Sequence, residues 1–135
     1  MKMKINFKKP DVVDGEQTDY EKYKKHIFYV DSFGYEVQVH NNNPTVSLKL
    51  FGRSTSSIPG EDPADMVQAV FYPDDYKLKK PKYDKTRNVI VIEYPMSALG
   101  GVMTALCNSP AAYAQFFYYG KNCYADIHGG YVLPE

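Results

Sequence analysis

Residues 26–51 read HIFYVDSFGYEVQVHNNNPTVSLKLF, and the fold turns on how this stretch is divided. His26–Asp31 and Tyr35–His40 are apolar-rich runs separated by Ser32-Phe33-Gly34, a spacing that predicts a hairpin with Gly34 at the turn, where it is free to take positive φ. Asn41-Asn42-Asn43-Pro44 supplies a second turn. Beyond it, Val46, Leu48 and Leu50 alternate with Thr45, Ser47 and Lys49, the period of a half-buried strand. Three such runs in succession predict an antiparallel meander.

Similar patterns extend on both sides. Met3, Ile5 and Phe7 alternate with Lys2, Lys4 and Asn6, which describes a strand with a cationic outer face. Residues 11–25 are strongly charged without a clean period and read as a loop. Asp62, Pro63 and Asp65 carry a helix-start signal, yet Met66–Tyr72 fits a strand, so a short helical turn feeding a strand is expected. Asn88–Tyr94 has the apolar continuity of a strand covered on both faces. One main helix is expected over 97–108. Ser97 caps it, Leu99, Val102, Met103 and Leu106 form its apolar stripe, and Asn108 and Pro110 stop it. Gly100 and Gly101 in its first turns cost up to ~1 kcal/mol each relative to alanine, which close packing is expected to offset. Ala112–Tyr119 and Asn122–Ile127 flank Gly120-Lys121 as a hairpin, and Gly129-Gly130 precedes a final run at Tyr131–Leu133. The expectation is one α+β domain over residues 1–135, a mostly antiparallel sheet of about six to eight strands with one helix packed on it.

Composition narrows the function classes. The 135 residues hold 16 basic and 16 acidic side chains and no apolar run of the ~20 residues needed to cross a bilayer, so no membrane role is expected. Residues 1–10 are basic but lack the apolar segment of a secretory signal. With two cysteines only, Cys107 and Cys123, the expectation is reduced thiols and a cytoplasmic setting. No paired-histidine, nucleophile-elbow, dinucleotide or phosphate-loop motif is present, so neither a metal nor another cofactor is expected. Asp126 and His128 stand two apart, which puts them on one face of a strand, and a hydrolytic centre built on them is the weakest of three readings.

The most biased stretch is Lys77–Arg87. It holds Lys77, Lys79, Lys80, Lys82, Lys85 and Arg87 against Asp84 alone, a net charge of +5 that leaves −5 on the rest of a neutral chain. Tyr76 and Tyr83 are interleaved with these cations. Cations neutralise phosphates, and phenol rings stack on unpaired bases at ~1–3 kcal/mol each, so the loop over 76–87 predicts a site for single-stranded nucleic acid in a non-enzymatic binding protein. The competing reading is a solvated hairpin tip whose lysines guard a sheet edge. The other functional candidate is a protein-binding inhibitor or adaptor, an accessory protein of a bacterium or its virus. It would meet a charged partner through an exposed aromatic face carrying Tyr113, Phe117 and Tyr119, and a homo-oligomer formed through that face is the simplest way to cover it. The acidic residues Asp11, Asp14, Glu16, Asp19 and Glu21 add the charge polarity that this reading uses.

Overall fold

The structure is a computed structural model and describes residues 3–6, 24–108, 111–129 and 131–134. The strands are β1 (Met3–Asn6), β2 (His26–His40), β3 (Asn43–Ser56), β4 (Met66–Tyr72), β5 (Lys82–Asp84), β6 (Val89–Pro95), β7 (Ala112–Tyr119), β8 (Asn122–Gly129) and β9 (Tyr131–Pro134). A short 3₁₀ turn, Met96–Ala98, leads into the helix α1 (Leu99–Asn108). β1 and β9 form a separate antiparallel pair, and the other seven strands form one sheet in the order β5-β6-β4-β3-β2-β7-β8.

The predicted meander is simplified. Ser32-Phe33-Gly34 is not a turn, because β2 runs unbroken to His40. The only reversal in the stretch is at Asn41 and Asn42, whose φ values of 50° and 65° match the two-residue hairpin turn that asparagine tolerates. A register shift between Val30 and Ser32 replaces the turn with a bulge. Gly52 lies opposite, and a Cβ there would sit 1.9 Å from the Tyr29 carbonyl oxygen, so only glycine fits.

The sheet is mixed rather than mostly antiparallel. The chain leaves β4 at Tyr72, returns through Lys77–Pro81 and β5, and starts β6 with Val89 beside Met66, so β4 and β6 are parallel. Asp84 accepts the Thr86 and Arg87 backbone N–H groups in the β5–β6 turn, and Asn88 closes that turn at φ 58°. No helical turn forms at Asp62–Asp65. The hairpin over Gly120-Lys121 is present as β7–β8, with Gly120 at φ 60°.

The sheet rolls until its two edges approach, giving a nearly closed barrel. Cys123 Sγ on β8 donates to Pro81 O at 2.8 Å just before β5, and His26 on β2 stacks on Tyr83 of β5 with ring centroids 4.2 Å apart. Inside lie Phe28, Leu48, Leu50, Val67, Ala69, Phe71, Ile90 and Phe116, all almost wholly buried. Each large one contributes ~1.5–3 kcal/mol relative to exposure. The helix is small and packs beside β8, with Val102 its one buried residue. Ser97 falls inside the 3₁₀ turn and caps nothing, since Pro95 is the capping residue and makes no side-chain bond. Added Cβ atoms at Gly100 and Gly101 would meet nothing within 4 Å, so close packing does not offset their cost. No helix among the described residues is long and apolar enough to cross a membrane. The predicted loop at 11–25, apart from Lys24 and Lys25, lies outside the described residues, as do the acidic patch, Phe7, Pro110 and Gly130.

Candidate nucleic-acid interface

Period-two geometry sorts the basic segment. In β5, Lys82 and Asp84 point outward while Tyr83 between them points into the barrel. Lys77, Lys79, Lys80, Lys82, Lys85 and Arg87 are all exposed. Two of the six have a carboxylate. Arg87 Nε donates to Asp84 Oδ2 at 2.9 Å, a contact that, with the two backbone N–H groups, holds the Asp84 carboxyl below its ordinary range. Lys85 Nζ lies 3.3 Å from Glu61 Oε2. Among the described residues no carboxylate pairs with the side chains of Lys77, Lys79, Lys80 or Lys82. Glu93 instead accepts the Lys79 backbone N–H at 2.8 Å, and Lys80 Nζ donates to the neutral Asn122 Oδ1 at 3.3 Å. The cationic character predicted for the segment therefore survives folding over Lys77–Lys82 and is partly cancelled over Lys85–Arg87.

The two tyrosines expected to stack on bases fare worse. Tyr83 is buried against His26, with its hydroxyl 2.5 Å from Asp62 O and 3.3 Å from Asn88 Oδ1, so it has no face to offer a base. Tyr76 is half-buried, and one face already lies on Tyr72 at 3.9 Å with the rings 12° from parallel. Burial and the Glu93 charge push the Tyr72 hydroxyl up to about 12, so it stays protonated.

In their place the rolled sheet delivers other rings. The tip of β7–β8 carries Tyr119 and Tyr124, 40% and 42% exposed, edge to face at 5.9 Å. Asn122, which receives the Lys80 ammonium, is the register partner of Tyr119, so the two share a face, and Lys121 is exposed in the turn between them. Lys80 and Asn122 are 42 residues apart in the chain. Tyr119 is legible in the sequence as a candidate ring; Tyr124 and Lys121 are not, because only the closing of the barrel puts them beside the lysines.

The expected aromatic face of β7 is not open. Tyr113 and Phe117 are both buried, because the β7 surface opposite the core is itself covered. His128 stacks on Tyr113 at 5.1 Å, Tyr124 stacks on Phe117 at 5.5 Å, and the Lys25 ammonium lies 5.0 Å over the Phe117 ring. Of the three residues read as an interface only Tyr119 reaches the surface, and a homodimer through this face loses its basis.

Two polar clusters complete the region. Glu61 accepts from Tyr118 Oη at 3.1 Å and contacts His26 Nε2 at 2.8 Å in addition to Lys85. Burial raises its carboxyl, but the bonds from His26, Tyr118 and Lys85 outweigh burial and hold it below its ordinary value. Asp126 and His128 do meet, with Oδ1 and Nε2 2.6 Å apart, and Gln115 Nε2 lies 3.2 Å from Asp126 Oδ2. The Lys25 ammonium reaches Gln115 Oε1 at 3.5 Å, and burial lowers its pKa against the opposing pull of Asp126. The Gln115 amide is the group that lies within reach of both members of the Asp126–His128 pair, with Nε2 3.4 Å from His128 Nε2. Among the described residues no group of three or more His, Cys, Asp or Glu side chains converges as a metal site. Comparison of the chain with protein-family models, curated proteins and solved structures gives no match.

Proposed function

We propose that the chain is a non-enzymatic binding protein that holds single-stranded nucleic acid along the seam where Lys77–Lys82 meets the β7–β8 tip. The observation that carries this reading is the Lys80–Asn122 contact, which sets unpaired cations beside exposed phenol rings. Lys77, Lys79, Lys80, Lys82 and Lys121 neutralise successive phosphates, and Tyr124 and Tyr119 stack on bases. Stacking of this kind needs bases that are not paired, so a single strand fits and a duplex does not. The zero net charge of the chain is no obstacle, because a Debye length of ~10 Å at 0.1 M salt makes the local cation density decisive.

Fluorescence anisotropy with a labelled 12-nucleotide strand tests the proposal. Five phosphate contacts imply a slope of about −0.7 per contact, so raising salt from 50 to 200 mM weakens binding roughly 100-fold. Failure to bind at 50 mM, or an affinity indifferent to salt, removes the proposal.

A further inference from the structure

The second half of β2 is an open edge. β7 pairs with β2 only over His26–Val30, and among the described residues no strand pairs with Ser32–His40 on the side away from β3. A two-residue turn at Asn41-Asn42 makes His40 and Asn43 a hydrogen-bonded pair, and such pairs alternate along the ladder. Gln38 and Glu36 therefore bond toward β3, while Val39, Val37 and Tyr35 aim their backbone N–H and C=O groups outward. The same three residues carry side chains on the core face yet are 69%, 57% and 71% exposed. Beside them Val46, Leu48, Leu99 and Met103 line an apolar groove of about 190 Å³ between the hairpin and α1. A long apolar edge of this kind invites another strand.

We infer that the occupant is a second copy of this chain, paired antiparallel through Gly34–His40 about a two-fold axis at Val37. The sequence of the edge selects both partner and register. Centring on Val37 sets Val37 against Val37, Tyr35 against Val39 and Glu36 against Gln38, so apolar residues meet apolar ones and each carboxylate meets an amide. Gln38 Nε2 already donates to Glu36 Oε1 at 2.6 Å within one chain, a contact of the same chemistry as the one predicted across the seam. A shift by two residues one way puts Glu36 against Glu36; the other way leaves Tyr35 opposite the turn residue Asn41. An axis perpendicular to the sheet keeps both core faces on the same side, so the two grooves merge and the two helices flank them. A chain of zero net charge carries no global repulsion against its copy.

Light scattering on the eluting protein, with two variants in a Cys107→Ser background, tests the inference. The wild-type chain elutes at twice the monomer mass at about 100 µM, near the usual concentration of such a run. Val37→Lys sets two ammonium groups face to face and gives the monomer. Val37→Cys, whose Cα atoms would lie ~5.5 Å apart in a hydrogen-bonded pair, forms an interchain disulfide under mild oxidation. Val37 is exposed in the single chain, so neither change threatens its folding. A wild-type monomer overturns the inference and leaves the edge to a strand from a different protein. A dimer that survives Val37→Lys, or Val37→Cys that does not cross-link, overturns it as well.

Discussion

The two halves of β2 obey the same alternation and end in opposite environments. Phe28, in the first half, is wholly buried between β3 and β7; Tyr35 and Val37, in the second, stand largely in water on the same face of the same strand. The difference lies in the neighbours. β3 accompanies β2 to its end, whereas β7 stops pairing at Val30, where the bulge begins. Burial is set by how far the adjacent strand reaches, a long-range property that alternation alone does not encode.

The bulge that separates the halves is the most sensitive point. Gly52→Ala drives a methyl into the Tyr29 backbone and is expected to cost at least about 4 kcal/mol, among the largest single-residue effects. A melting temperature lower by roughly 10 °C or more checks it. Loss of less than about 1 kcal/mol, the ordinary cost of a point change, would mean that the bulge relaxes freely. Next is the buried network that anchors the first half. Glu61→Ala leaves His26 and the Tyr118 hydroxyl without their acceptor and costs about 2–3 kcal/mol, measured by urea unfolding. The sign of its pH dependence follows from the depressed carboxyl. Its stabilisation is present above the unfolded value near 4.5 and is lost as pH falls through the lower folded value. Wild-type stability therefore declines below pH 4.5 more steeply than that of Glu61→Gln, and parallel pH profiles would contradict the assignment.

Smaller effects sharpen the contrast. Gly34, in the open half, meets nothing within 4 Å of an added Cβ, so Gly34→Ala is neutral or stabilises by about 0.5 kcal/mol. Gly101→Ala on the exposed side of α1 stabilises by up to ~1 kcal/mol. A loss at either position would show contacts that the open surroundings do not provide.

Local chemistry made much of the architecture legible. Alternation marked β3, apolar continuity marked β6, the Asn41-Asn42 turn and the Gly120-Lys121 hairpin were visible, and the stripe from Leu99 to Leu106 marked α1. Gly34 misled because glycine also occurs where a strand merely runs past its neighbours, and Asp62-Pro63 misled because a helix-start signal without a helix to follow is only a turn. The parallel pairing of β4 with β6 rests on the return path through β5, which has no short-range signature. For the candidate site, the run of lysines was plain. Which rings accompany it was not: Tyr83 differs from Tyr124 only in the face on which it falls once the barrel closes.

Photocross-linking of a bound single strand, with the modified peptide identified by mass spectrometry, tests the location of the site directly. Adducts are expected on the peptide that carries Tyr119–Tyr124, lost together with binding when Lys79, Lys80 and Lys82 are changed to Glu. Adducts confined to the outer face of β2–β4, or an unchanged yield in the triple variant, would contradict it.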